Sequence, residues 1–341
     1  MKYDRLTFSI IIPVYNASHF LEMCLDSCVN QLYTNIEIIC IDDCSTDNSR
    51  EIIKRFQNKD KRIKGFYHEK NESQYIARRT GIMNATGDYI LFLDNDDSLA
   101  LDACMLLARH IEKTLADMIQ FGYTEVPRGK KIFSPFYQTA KKRIAAYLAK
   151  ENRYSPEIWT KAYKRDLILT AYNTMDIFYC SGPEDIYTSI VITHFTKSFS
   201  FLKKSLVHYS NETGMSMRKM DSIQPCIAWL TAYHIIIEKT AAFIKKYLPE
   251  YTDKCTDMEF YFLKDFLFCR LPQLSLDISC ETKYQIATLL PSCFSYEVLL
   301  SFFEETVQRY NEYDRLNFIC SFFSKTKKLL KIVAIYLKSF F

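Results

Sequence analysis

The stretch "GDYILFLDNDD" (Gly87–Asp97) runs from strand-forming residues straight into a cluster of acidic ones. Its apolar part, 89–93, has the length and composition of a buried β-strand, and three carboxylates follow within four residues. Like charges this close repel one another, so the cluster costs free energy unless a cation neutralises it. The stretch therefore predicts a strand whose carboxyl end carries a polar site.

Strand and helix patterns alternate on both sides of this strand. The predicted strands are 8–15, 36–43, 63–69, 89–94 and 116–126, and the predicted helices lie within 18–32, 45–57, 72–86 and 101–114. Strands separated by helices of this length favour a largely parallel sheet with helices on both faces. We predict an α/β fold, with Ser18 as N-cap of the first helix and Asp47 or Ser45 as N-cap of the second.

Two acidic groups follow different strands but fall on the same predicted rim. Ligands of such sheets bind outside the carboxyl ends of the strands. That rule places Asp42, Asp43, Asp94, Asn95, Asp96 and Asp97 together. One interpretation is structural, with Asp97 or Ser98 capping a helix that begins near Leu101. The functional interpretation makes Asp94 and Asp96 ligands of Mg²⁺ or Mn²⁺, which take oxygen ligands and often share them with substrate phosphates.

Three other polar groups also have a structural and a functional interpretation. Asp43 either ends its strand or accepts the imide N–H of a uracil. Arg78 lies on a solvated helix face, or it steadies a phosphate or orients an acidic loop residue. Glu184 and Asp185 follow a Ser-Gly-Pro turn, where acids suit a helix N-terminus. Asp185 could equally be a general base that takes a proton from an attacking hydroxyl.

Composition disfavours several classes of protein. A net charge of +4, without a basic run interleaved with aromatics, predicts no nucleic-acid partner. The twelve cysteines have neither zinc-ligand spacing nor a disulfide framework, which favours reduced thiols in the cytoplasm. No glycine-rich dinucleotide or P-loop motif occurs. The absence of a secretion signal or of an apolar run of ~20 residues leads us to expect a cytoplasmic protein.

The C-terminal third reads as a separate helical domain. We predict a first domain over 1–216 and a helical domain over 217–341. The last segment, "KTKKLLKIVAIYLKSFF" (325–341), forms a basic amphipathic pattern when drawn as a helix. Such a helix either packs on its own domain or lies on an anionic membrane surface. We expect the second, as peripheral attachment to the inner face of the cytoplasmic membrane.

Six short motifs in one order resemble those of the family-2 glycosyltransferases with the GT-A fold. They are "IIPVYN", "IDDCSTDNS", "ARRTGI", "GDYILFLDNDD", "IWTKAYKRD" and "GPEDIYTSI", and the resemblance spans roughly residues 7–216. It implies transfer of a sugar from a nucleotide donor with inversion at the anomeric carbon, with Mn²⁺ or Mg²⁺ as cofactor. It also implies a GT-A type nucleotide-diphospho-sugar transferase fold.

The resemblance assigns roles by position. It implies that Pro13, Tyr15 and Asn16 line the nucleoside pocket and that Asp43 binds the base, most often uracil. It implies that Arg78 is a donor-site arginine and that Asp94, Asn95 and Asp96 form the metal and donor triplet. It also implies that Asp185, beside Glu184, is the catalytic base. His208 lies where related enzymes often have a histidine or tyrosine near the metal and acceptor. A buried structural histidine is the alternative there.

Three positions depart from the family pattern, and two features of one branch are absent. Cys44 and Ser73 stand where glycine is usual, and Arg79 stands where asparagine is common. We therefore expect a changed loop backbone after Asp43 and an uncertain donor. The processive branch carries a Gln-x-x-Arg-Trp motif and membrane spans. Neither occurs here, which favours one sugar per encounter.

The expected function is therefore an inverting, metal-dependent glycosyltransferase of surface polysaccharide synthesis. It would move a hexose from a UDP-sugar to a glycan or lipid-linked oligosaccharide. One alternative is an inert sugar-nucleotide or glycan-binding protein on the same fold. Another is a sugar nucleotidyltransferase, which would need an early glycine-rich loop with Arg and Lys that "PVYNASHF" does not supply.

Overall fold

A computed structural model describes most of the chain. The described residues are 6–149, 156–180, 182–210, 224–270, 286, 289–295, 297–299 and 301–302. The chain divides into two compact units, one of Met1–Tyr147 with Asn152–Met217 and one of Leu148–Glu151 with Arg218–Phe341. Residues 211–223 span the predicted domain boundary and lie outside the described residues, so the boundary at 216 stays a prediction.

The first unit begins with a parallel sheet, as predicted. Its first elements are β1 (Phe8–Val14), α1 (Leu21–Val29), β2 (Ile36–Asp42), α2 (Ser49–Lys59), β3 (Ile63–Tyr67), α3 (Gln74–Asn84) and β4 (Tyr89–Phe92). The strands β1, β2 and β4 are buried along their whole length, because helices cover such a sheet on both faces. Their continuous apolar runs are the signal that made them predictable from sequence.

The rest of the unit extends the sheet with shorter and antiparallel pairings. Its elements are β5 (Ser98–Leu99), α4 (Ala103–Thr114), β6 (Met118–Val126), β7 (Lys130–Ile132), α5 (Ala140–Tyr147), β8 (Lys161–Lys164), α6 (Arg165–Thr174), α7 (Glu184–Phe195) and β9 (Phe199–Ser210). The described strands form one sheet in the order β3-β2-β1-β4-β8-β6-β9-β5, with β7 beside β6. The predicted α/β fold with a mostly parallel central sheet and flanking helices is confirmed.

None of the three helices has its predicted N-cap. Helix α1 begins at Leu21 rather than near Ser18, whose amide instead donates to Asp47 Oδ2 at 2.9 Å. The N-cap of α2 is Asn48 rather than Asp47 or Ser45, although Asp47 Oδ1 accepts the Ser49 amide at 3.0 Å. Helix α4 begins at Ala103, too late for Asp97 or Ser98 to cap it.

Helix α3 packs closely on the centre of the sheet. A Cβ added at Gly81 would lie 2.5 Å from Ile11 Cγ2 and 2.8 Å from Ile41 Cδ1, so only glycine permits this approach. This close packing of α3 on β1 and β2 places the start of the helix near the carboxyl ends of both strands. That position makes α3 the element that connects the two acidic groups.

Glu37, near the amino end of β2, ties the opposite edge of the sheet together. Its carboxylate accepts hydrogen bonds from Ser9 Oγ at 2.5 Å, the Thr86 amide at 2.6 Å and Lys64 Nζ at 2.6 Å. Burial alone would raise the pKa of Glu37, but these bonds lower it to about 2. The turn after α3 is therefore held to β1 and β2 by one ionised side chain.

The described part of the second unit is helical. Helix α8 (Gln224–Tyr247) leads through a 3₁₀ turn to α9 (Cys255–Asp265), which continues as a π-helical turn at Phe266–Arg270. By length and composition α8 could cross a membrane, but the core helix of a soluble protein passes the same test. The predicted amphipathic segment at 325–341 lies outside the described residues.

Candidate active site

A fully enclosed arginine joins two acidic groups at the rim of the sheet. Arg78, on α3, is 2% exposed. Its Nη1 donates to Glu184 Oε1 at 2.9 Å and to Asp185 Oδ1 at 3.0 Å, and its Nη2 donates to Asp94 Oδ1 at 2.9 Å. The structure thus brings together the acidic end of β4 and the start of α7. The interpretation of Arg78 as part of a solvated helix face is therefore wrong, and its role in orienting acidic residues or a phosphate stays a prediction.

The two carboxylates at the start of α7 lie in different surroundings. The Glu184 side chain is 5% exposed, while that of Asp185 is 23% exposed. Burial and the neighbouring Asp185 raise the pKa of Glu184 to about 8, although Arg78 opposes the shift. Burial also raises the pKa of Asp185, with Arg78 and Lys161 acting in the opposite direction. Asp185 is therefore the carboxylate that an external hydroxyl can approach.

A buried lysine lies within electrostatic reach of Asp185, and it was not singled out in the sequence analysis. Lys161, in β8, is 1% exposed and donates to the Glu157 carbonyl oxygen at 2.7 Å and to Thr160 Oγ1 at 3.0 Å. Burial lowers the pKa of Lys161 to about 8. A lysine in a short strand is ordinarily predicted to be exposed. Its position inside the motif "IWTKAYKRD" was therefore the only available signal.

The predicted metal ligands offer oxygen atoms but do not form a closed cage. Asp94 Oδ1 accepts from Arg78 and from Gln74 Nε2 at 2.9 Å, and Asn95 Nδ2 donates to the Pro13 carbonyl oxygen at 2.9 Å. Among the described residues, no three His, Cys, Asp or Glu side chains converge to hold an ion. Two loop carboxylates suit Mg²⁺ or Mn²⁺ whose remaining ligands are phosphate and water. The donor chemistry therefore fits, with Asp94 and Asp96 as the predicted ligands.

His208 lies on β9, where it pairs in register with Ser98 of β5. It is exposed, so the alternative of a buried structural histidine is wrong. The pairing puts His208 beside the loop that follows Asp96. Its predicted role near the metal and acceptor stays a prediction.

Two carboxylates expected at the rim face the interior instead. Asp97 is 1% exposed, and its Oδ1 accepts the Ser210 amide at 2.8 Å. Burial, reinforced by Asp94, raises the pKa of Asp97 to about 9. Asp42 is fully buried and pairs with Arg50 Nη2 at 2.7 Å. Asp42, the last residue of β2, and Asp97, which follows β4, thus lie at the ends of their strands as predicted, but their buried side chains bond within the protein and do not open onto the rim.

Asp43 organises the loop that precedes α3. Its Oδ1 accepts the Glu72 amide at 2.9 Å and contacts His68 Nδ1 at 2.7 Å, and its Oδ2 accepts the Ser73 amide at 2.9 Å. An ionised carboxylate has about four acceptor positions, and contacts with the described residues fill three of them, which leaves one on Oδ2. The predicted contact with a base N–H has to use that position.

The predicted nucleoside residues form the neighbouring edge. Tyr15 is 49% exposed, directly after β1. Asn16 has a φ of 49°, and its Oδ1 accepts the Thr46 amide at 2.8 Å, which holds the loop after β1 to the loop after β2. The Tyr15 side chain is about half exposed, and the Asp43 amide donates to the carbonyl oxygen of Val14, which precedes Tyr15, at 2.8 Å.

Comparison with known proteins places this site in a family. The sequence model of the family described as "Glycosyl transferase family 2" matches residues 9–179, half of the chain. The chain belongs to glycosyltransferase family 2. The matched region includes every motif that forms the rim except those on α7 and β9. The nucleotidyltransferase alternative has no support from this match.

Two curated relatives and one solved structure show how far the similarity reaches. Glycosyltransferase GlyA of Streptococcus pneumoniae is 30% identical over 230 residues, which are 63% of this chain and 32% of GlyA. The putative teichuronic acid biosynthesis glycosyltransferase TuaG of Bacillus subtilis is 34% identical over 116 residues, 34% of this chain and 45% of TuaG. The chain thus spans less than half the length of either relative.

The solved structure shows the fold. S. aureus TarS 1-349, in complex with UDP-GlcNAc, superposes with a TM-score of 0.63 at 21% sequence identity, over 84% of this chain and 80% of that one. The likeness supports the GT-A fold over most of the chain.

The three departures of this glycosyltransferase from the family pattern have structural explanations. Cys44 and Ser73 have φ angles of 64° and 87°, the region that glycine favours, so a changed loop backbone is not required. Arg79 Nη1 donates to the Tyr172 carbonyl oxygen on α6. Arg79 therefore connects two helices and does not reach toward the donor site.

One segment of the glycosyltransferase site was missed by sequence reasoning. Residues 175–180 connect α6 toward α7 and lie along the start of α3, where Tyr75 Oη donates to the Asp176 carbonyl oxygen at 2.7 Å. Phe178 stacks on Tyr75 with ring centroids 4.7 Å apart. No motif marks this segment, although its aromatic residues in a loop were an available signal.

Proposed function

We propose that this glycosyltransferase transfers one sugar per encounter from a UDP-sugar to a hydroxyl of a glycan or lipid-linked acceptor, with inversion and with a divalent cation. The observation that carries the proposal is that the buried guanidinium of Arg78 contacts both Asp94 and Asp185. Asp94 belongs to the predicted donor and metal side, and Asp185 belongs to the predicted acceptor side.

The geometry suggests a division of labour between the two acids of α7. Asp185 is exposed enough to accept the proton of an attacking hydroxyl, and its bond to Arg78 fixes its orientation. Glu184 is enclosed, so it serves to hold Arg78 and not to meet the acceptor. A bound Mn²⁺ or Mg²⁺ would neutralise the charge that develops on the leaving diphosphate.

The donor and acceptor classes follow from the resemblance and from the relatives. Asp43 and Tyr15 occupy the family's base-binding positions, where uracil is the most frequent base. TarS, on the same fold, binds UDP-GlcNAc, which makes UDP the first nucleotide to test. The name of TuaG refers to teichuronic acid biosynthesis, which supports a surface polysaccharide as the product.

We also propose a peripheral position on the inner face of the cytoplasmic membrane. The support is the basic amphipathic sequence at 325–341, with four lysines on one side of the predicted helix. Sedimentation with anionic and with neutral liposomes tests it, comparing the whole chain with one that ends at residue 324. Equal sedimentation of the two proteins with anionic liposomes would contradict the proposal.

Calorimetric titration with UDP, GDP, ADP and CDP, with and without Mn²⁺, tests the donor and metal proposals together. We expect UDP to bind most tightly, to need the cation for binding, and to bind no longer in Asp96→Ala. Asp26→Ala, which removes an exposed carboxylate from α1, is the matched control and should bind as the wild type does. Binding of no nucleotide would refute the proposed function, and binding without transfer to any acceptor would favour the inert binder.

A further inference from the structure

The segment 175–180 is fastened to the loop that Asp43 organises. The Cys180 amide donates to Ser73 Oγ at 3.3 Å, and the Tyr179 hydroxyl donates to Asn71 Oδ1 at 3.4 Å. Asn71 Nδ2 in turn donates to the Asp43 carbonyl oxygen at 3.3 Å. Tyr179 is thus two contacts from the residue that stands at the family's base-binding position.

The Tyr179 side chain is exposed, although its neighbour Cys180 is buried. The exposed fractions are 56% for Tyr179 and 1% for Cys180. Tyr15, across the same loop, is 49% exposed. Burial raises the pKa of Tyr179, and the next contributions come from Asp43 and Tyr15, which shows that both lie within electrostatic reach of its hydroxyl.

Two exposed rings beside one carboxylate match what a nucleobase requires. Every base has a π-face that stacks on aromatic side chains, and each such contact is worth about 1–3 kcal/mol by alanine substitution. Asp43 is only 3% exposed, and the described residues leave one acceptor position on its Oδ2 for a base N–H. An apolar ring left half exposed by a fixed segment has area to gain when a base covers it.

We propose that Tyr179 forms, with Tyr15, the aromatic lining of the nucleoside pocket, and that the base of the donor stacks against its ring. The inference rests on the proposed function, since it needs a nucleotide donor. It adds a donor-binding residue from a segment outside the motifs of the resemblance. It also explains why the segment leading to Asp185 is fastened beside Asp43.

The test compares three variants by titration with UDP at saturating Mn²⁺. Tyr179→Ala should weaken UDP about tenfold, within the range of roughly 5- to 150-fold that a lost stacking contact implies. Tyr179→Phe keeps the ring and should bind within about twofold of the wild type. Ile177→Ala removes a 70%-exposed side chain from the same segment and should leave the affinity unchanged.

A second ligand separates the base from the phosphates. Inorganic pyrophosphate with Mn²⁺ should bind wild type and Tyr179→Ala equally, because a lining for the base does not touch the diphosphate. Unchanged or tighter UDP binding in Tyr179→Ala would overturn the inference, as would an equal loss for pyrophosphate. Failure of the wild type to bind any nucleotide would overturn the inference together with the function on which it rests, whereas UDP binding indifferent to Tyr179 would overturn the inference alone.

Discussion

Replacing Arg78 with methionine should destabilise the first unit by about 3 kcal/mol. The change removes three hydrogen bonds of 2.9–3.0 Å and leaves three carboxylates without their cation. Breaking a buried ion pair from one side costs ~3–5 kcal/mol. We expect the lower end, because Asp94 and Asp185 are 22% and 23% exposed and the pKa of Glu184 is already about 8.

The measurement is denaturant unfolding followed by tryptophan fluorescence. The chain has two tryptophans, so a Trp229→Phe background leaves Trp159, which is 5% exposed, as the reporter of the first unit. Free energies of unfolding come from linear extrapolation to zero denaturant. Arg55→Met is the matched control: its partner Glu22 and Arg55 itself are about half exposed, so the loss should stay below ~1 kcal/mol.

A double-mutant cycle with Glu184→Gln assigns the loss to the contact. Glu184→Gln should cost less in the Arg78→Met background than in the parent, since the carboxylate it removes has already lost its cation. A coupling free energy of about 1–2 kcal/mol is expected. Two results would contradict a stabilising ion pair between Arg78 and Glu184. One is a free energy of unfolding for Arg78→Met within ~1 kcal/mol of the parent, and the other is an equal cost of Glu184→Gln in both backgrounds.

Three further changes test other parts of the structure. Glu37→Gln should cost about 3 kcal/mol at pH 7, from the difference between the ordinary pKa of 4.5 and about 2. Because folding lowers the pKa of Glu37, the stability lost in Glu37→Gln should shrink as the pH falls below 5, as measured by denaturant unfolding. The exposed control Glu51→Gln should lose no stability. Asp185→Asn should lower kcat by ~10²- to 10⁴-fold in a transfer assay while the Kd for UDP stays the same; near-normal transfer would exclude Asp185 as the base. Ser73→Ala should be less stable than Ser73→Gly by ~1 kcal/mol or more, since both lose the Oγ bond but only glycine relieves the positive φ; equal thermal stability would contradict that strain.

The first half of the fold was predictable because its strands are buried on both faces. The apolar runs of β1, β2 and β4 leave no competing interpretation as exposed structure. The second half lacks that signal. Strand β9 carries Lys203 and Lys204 at exposed positions, and its pairing with β6 shifts register around Gly122. A twelve-residue strand with charges and a register shift has no clean period to detect.

Sequence predicted which polar residues matter at the site better than it predicted their partners. The acidic groups after β2 and β4 and at the start of α7 were identified by residue type and position. Their pairing was not visible, because Arg78 reaches Glu184 across 106 positions of sequence. Burial was also invisible: Asp96 and Asp97 are adjacent and alike in sequence, yet only packing determines that Asp97 is enclosed.

Ser73 shows how a departure from a family pattern can be structural information. Its φ of 87° and ψ of 158° lie in a region that costs residues other than glycine about 1–3 kcal/mol. Its amide donates to Asp43, as a glycine amide could, but its Oγ also accepts the Cys180 amide, which a glycine could not. The serine therefore ties the segment bearing Tyr179 to the loop that Asp43 organises. In the sequence, Ser73 is a departure that leaves the donor undetermined. In the structure, its Oγ makes a hydrogen bond that fixes part of the proposed donor pocket.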